Sequence, residues 1–129
     1  MFSDLNVFKM AYAMATHAGQ RQAVVAGNMA NADTPGYRER DITGFAETYA
    51  GTGAERPMQA TRDRHLNGAG QASQSWETFE TDAPGDPNGN NVSVENQMLK
   101  AVEVKRQHDR ALAIYKSSLN ILRVGLGRA

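Results

Sequence analysis

Three histidines, an acidic pair around a Pro-Gly turn and two neighbouring serines are the first places to look for chemistry in this sequence. His17, His65 and His108 lie far apart and no HExxH pattern occurs, so the spacing offers no zinc site. His108 falls on an apolar helical stripe, where a packed, hydrogen-bonded imidazole is the expected role. Asp82 and Asp86 flank Pro84-Gly85. A calcium loop needs a series of alternate oxygen ligands closed by a glutamate, and that series is missing. Ser73 and Ser75 stand among Gln and Ala with no base beside them, and there is no GxSxG elbow or glycine-rich phosphate loop. The chain has no cysteine, which excludes disulfides and thiolate chemistry. The expectation is a protein that is not an enzyme, with no catalytic residues, metal, cofactor or small-molecule substrate.

What remains is architecture. The chain has 129 residues and formal net charge zero, which removes the electrostatic case for nucleic acid. Mean hydropathy is −0.56, as in a soluble domain. The N-terminal stretch MFSDLNVFKMAYAMATHAG lacks a basic leader and a continuous apolar region, so no cleaved signal peptide is expected. Charge is unevenly spread. Residues 1–32 carry only Asp4, Lys9 and Arg21, residues 33–92 five cations against ten carboxylates, and residues 93–129 seven cations against three.

Residues 1–32 contain no proline. Phe8, Ala11, Ala15, Ala18, Gln22, Val25, Met29 and Ala32 recur at alternating spacings of 3 and 4, the seam of a coiled-coil helix. Tyr12 widens the stripe, and Ser3 suits an N-cap. Residues 93–129 repeat the pattern with Val94, Gln97, Ala101, Val104, His108, Ala111, Tyr115, Ser118 and Leu122. Met98, Leu112, Leu119 and Leu126 broaden it on one side, Ile114 and Ile121 on the other. The last two turns are therefore apolar over more than half their circumference, too wide for one partner helix to cover. Asn91 or Ser93 suits the start of this helix and Gly125 or Gly127 its end. An alanine seam buries little area per residue, so the first helix is expected to be marginal alone.

The middle, residues 33–92, holds all four prolines and eight of the twelve glycines. It reads either as a flexible loop or as an irregular segment with a small β-hairpin element. Met58–Leu66 and Ser75–Thr81 are the candidate strands. The expected fold is mainly α, with paired terminal helices forming one assembly domain (1–32 plus 93–129) and the middle outside it.

One string is more specific. Asn28, Ala30, Asn31, Ala32, Thr34, Pro35, Gly36 and Tyr37 end the first helix, and Pro35-Gly36 suits the centre of a type II turn. This NxANAxTPGY run resembles the N-terminal signature of the flagellar rod and hook axial proteins. Gly89-Asn90-Asn91-Val92-Ser93-Val94-Glu95-Asn96-Gln97-Met98 resembles the lead into the last helix of the proximal rod proteins of that family. The likeness covers both ends, about 75 residues. Gly27 stands where the family usually has Asn, and Ser93, Asn96 and Gln97 where it often has acids.

The resemblance implies a structural subunit of the bacterial flagellar basal-body rod. Such a subunit is exported without a cleaved leader, assembles helically in the periplasm, and lines the export channel while transmitting torque. The implied partners are further copies, other rod proteins, and ring and export-gate components at the rod base. Another axial paralog, a cytoplasmic coiled-coil adaptor or secretion chaperone, and a membrane-surface helix protein are the rival readings.

Overall fold

The computed structural model describes residues 2–51 and 76–127. Two long helices dominate: α1, Phe2–Ala30, and α3, Val94–Leu126. Both are free of proline inside, and α3 has defined ends. Ser93 caps it, accepting a hydrogen bond from the Asn96 amide, and Gly127 closes it by donating to the Arg123 carbonyl. α1 begins at Phe2, so Ser3 lies inside its first turn and is not the cap. The helices run antiparallel: the Phe8 ring meets that of Tyr115 edge-on at 5.3 Å, and Asn28 meets Gln97 at the other end.

The contact between them follows half of the expected seam. Ala11, Ala18 and Val25 of α1 and Gln97, Val104 and Ala111 of α3 are at most 3% exposed. The alternate positions rotate outward. Gln22, Met29, His108 and Tyr115 are exposed, while Phe8, Ala15, Ala101, Leu119 and Leu122 are half-buried. Their places are taken by residues one step earlier: Met14, Arg21 and Asn28 on α1, Lys100, Gln107 and Ile114 on α3. The reason is a third neighbour. Each helix touches both its partner and the middle segment, so its buried arc centres between the two. Met98, expected to broaden the stripe, is 56% exposed for the same reason, since it points away from the middle segment.

That segment lies across one face of the helix pair. It contains β1, Arg40–Ile42, a short helix α2, Phe45–Gly51, and β2, Thr78–Glu80. The strands pair antiparallel, Arg40 opposite Glu80 and Ile42 opposite Thr78. β2 falls inside the expected Ser75–Thr81 strand. Its partner is β1, and the other candidate strand, Met58–Leu66, lies outside the described residues. Beneath the strands, Ile42 and Trp76 are buried, and His17 stands edge-on to Trp76 at 5.0 Å and to Phe45 at 5.7 Å. The opposite face of the pair carries an open groove of about 580 Å³ between Ala18, Gly19 and Gln22 on α1 and Ala101, Val102 and Lys105 on α3.

Candidate functional site: three asparagines at the junction of turn, strand and last helix

α1 stops at Ala30 and leaves carbonyls without helical donors, as every helix C-terminus does. Asn31 folds its amide back to the Gly27 carbonyl at 2.8 Å, and Thr34 Oγ1 donates to Asn31 Oδ1 at 3.2 Å. The Tyr37 amide donates to the Thr34 carbonyl, closing a turn over Pro35-Gly36. Gly36 sits at φ +75°, the left-handed region that type II turns require at this position.

Asn90 completes this helix end from the far side of the sequence. Its Nδ2 lies 2.9, 2.9 and 2.8 Å from the carbonyls of Asn31, Ala32 and Thr34, so two amide hydrogens serve three acceptors. Its Oδ1 accepts from the Val92 amide, which orders the approach to α3. The two signature strings touch directly. Gly36 donates to the Asn88 carbonyl, and a side chain on Gly89 (φ +85°) would sit 3.3 Å from the Gly36 Cα. Asn91 acts on the strands. It accepts from the Glu39 amide and donates to the carbonyls of Thr81 and Ala83.

Asn28, fully buried inside α1, imitates a neighbouring strand. Its Nδ2 donates to the Arg40 carbonyl at 2.7 Å and its Oδ1 accepts from the Arg40 amide at 3.1 Å. The same side chain donates to Gln97 Oε1 and accepts from the Tyr37 hydroxyl. Helix, turn, strand and last helix therefore meet at one amide.

An ionic layer sits beside it. Glu39, buried, accepts from Gln97 and from Lys100 Nζ (2.6 Å) on one oxygen, and from Thr81 Oγ1 (2.7 Å) on the other. Lys100 also reaches Asp41 at 3.2 Å, and Arg21 binds Asp41 at 3.1 Å and Glu103 at 3.6 Å. Burial pushes the Glu39 carboxyl up, but hydrogen bonds from Lys100, Thr81 and Gln97 outweigh it and hold the group below the ordinary value. Asp41 is held down likewise: burial opposes, and the Arg21 guanidinium with the Ile42 amide prevails. Burial would lower Lys100, yet Glu39 and Asp41 raise it. Among the described residues no buried side-chain polar atom lacks a partner, and no cluster of acids and histidines is arranged to hold a metal ion. The chemistry available here is mutual satisfaction, which fixes geometry.

The structure thus brings together Asn28, Asn31, Ala32, Thr34, Gly36, Tyr37, Asn90 and Asn91, with Pro35 shaping the turn. Ala30 contributes only the end of α1. Val92 is half-buried and held through its amide, and Met98 points outward. Sequence reasoning missed Glu39, Asp41, Arg21 and Lys100, and it missed His17, whose Nε2 bonds the Thr43 carbonyl while Nδ1 meets the Gln107 amide. One signal was present: Gln97 occupies a seam position, where a polar residue implies a buried partner.

Comparison with known proteins identifies the family. The family described as Flagella basal body rod protein matches residues 14–38, which span the second half of α1 and the turn. The flagellar basal body rod protein FlgB of Aquifex aeolicus is 31% identical over 130 residues, covering all of this chain and 98% of its own length. The protein of the same name from Agrobacterium fabrum is 31% identical over 119 residues, covering 88% of this chain and 87% of its own. The chain belongs to the flagellar basal body rod proteins, as a member of the FlgB type.

Proposed function

We propose that this chain is a structural subunit of the flagellar basal-body rod, with no catalytic role. Its paired terminal helices, 1–32 and 93–129, act as the inner assembly domain. The observation that carries this reading is the full-length likeness to two FlgB rod proteins, in a chain whose two signature strings interlock at one polar junction. The junction fixes the angle between helix pair and middle segment. The helices offer apolar surface to neighbours: Tyr12 is 73% exposed, Leu99 66% and Leu126 76%.

The subunit works in the periplasm, and it assembles helically with copies of itself and other rod proteins. Ring and export-gate components contact it at the rod base, and the finished tube transmits torque and lines the export channel. A marginal helix seam serves export, because the chain opens easily and completes its folding when neighbours bury it. An adaptor in the cytoplasm has no comparable support. Deleting the gene is expected to abolish swimming, and the wild-type chain supplied in trans to restore it. Normal swimming in the deletion strain would overturn the reading.

A further inference from the structure

The helix pair is longer than the described part of the segment laid on it. The described part of the middle segment is anchored between His17 and Asn28 on α1 and at Gln97 and Lys100 on α3. Beyond Gln107, α3 runs on to Leu126, roughly 28 Å at 1.5 Å per residue. On that stretch Ile121 and Val124 are each 63% exposed and Leu126 76%. Its charges are Asp109, which pairs with Lys105 one turn back, and then Arg110, Lys116 and Arg123, all exposed, with no carboxylate from Arg110 to Gly127. The other end of the molecule has the opposite character. Residues 76–92 carry Glu77, Glu80, Asp82 and Asp86, all exposed, and no cation, and Phe79 among them is 49% exposed.

We infer that the bare, cationic end of α3 is the landing surface for the acidic 76–92 stretch of a second copy. Within one chain the two cannot meet. The acidic stretch is tied to the start of α3 through Asn91, and Gln97 to Arg123 spans about 39 Å of helix. A second copy displaced along the helix axis brings them together, setting Phe79 against Ile121 and Val124 inside a frame of opposite charges. The chain's own residues 52–75 are a poorer match, with Arg56, Arg62 and Arg64 against Glu55 and Asp63. The contact joins different surfaces of identical subunits, so each copy leaves one end open and the contact propagates, into a ring or a helix according to the rotation per step. The inference rests on reading the chain as an assembling rod subunit and adds which surface meets which.

The chain has no cysteine, so one thiol per variant reports the contact cleanly. Thr78→Cys and Ser117→Cys place thiols at exposed positions and leave every charge intact. Each variant is first checked for native helix content, then the two are mixed at rising concentration and oxidised. The expected result is mixed disulfide dimer at least about tenfold above dimer from either variant alone. It should fall several-fold in about 1 M salt, where screening reaches only ~3 Å, and it should be lost when Arg123→Glu is added to the Ser117→Cys chain. Equal dimer from Ser117→Cys alone would mean a two-fold pairing of helix ends and would overturn the inference. Absence of mixed dimer, or mixed dimer indifferent to Arg123→Glu, would overturn it as well. Recovery of the wild-type chain in purified basal bodies without any mixed dimer would leave the rod reading intact and remove only this contact.

Discussion

Asn90 shows how much one side chain can carry when its partners are carbonyls at the end of a helix. Replacing it with Ala strands three part-buried acceptors, and the expected loss is about 2 kcal/mol, read from urea denaturation as a lower midpoint at unchanged slope. Asn90→Asp keeps the shape but brings an acceptor to three acceptors, so it is expected to cost at least as much. The ionic layer adds a pH signature. Glu39 and Asp41 have folded values below their ordinary 4.5 and 3.8. Their contribution is complete above those values and is lost as pH falls below them. Lys100 has its value raised above 10.5, so its contribution is complete below that pH and fades as pH rises past it. Thermal denaturation should therefore show a plateau between about pH 5 and 10 that declines on both sides. Lys100→Met leaves two carboxylates facing each other and is expected to cost roughly 3 kcal/mol, the low end for a broken buried pair because Nζ keeps some contact with water. A variant with unchanged stability at pH 7 would contradict the layer's role.

At the scale of elements, the sequence showed the helices plainly because their pattern repeats over many turns. The alternating 3 and 4 spacing located both, and it named Ala18, Val25, Val104 and Ala111 as contact residues. It did not show the rotation of the seam, since that depends on a third element packing from the side, and a helical pattern says which face is apolar but not what lies against it. β1 escaped notice because three residues, Arg40-Asp41-Ile42, are too few to display alternation, and their main contact is an asparagine in a helix. The Asn-rich strings were legible as signatures, while their joint role was not, because Asn31 and Asn90 are 59 positions apart. The buried contact between the two helices and their exposed surface can be told apart by mutation. Ala18→Glu puts a charge into a position that is 1% exposed, and it is expected to cost several kcal/mol. Leu112→Gln, on the exposed surface, is expected to leave stability within about 0.5 kcal/mol. Circular dichroism melts of the two variants check the contrast, and equal melting points would contradict the assignment of faces.

For the whole molecule, order is concentrated at one end. The junction ties together α1, the strands and the start of α3, whereas the far end of the helix pair keeps Ile121, Val124 and Leu126 open to water. Local opening follows such differences in burial. Hydrogen exchange on the dilute monomer should find the amides around Val25 and Asn28 slow and those from Ala113 to Leu126 fast. Uniform protection along α3 would mean that the free end is already folded without neighbours. The family to which the chain belongs names its assembly as the basal-body rod. The direct measurement is the location of the chain in flagellated cells, by immunodetection in purified basal bodies and in the soluble fraction. The chain is expected to co-purify with the rod and to be depleted when rod assembly is blocked. Finding it only in the soluble fraction, with basal bodies intact and free of it, would contradict its role as a rod subunit.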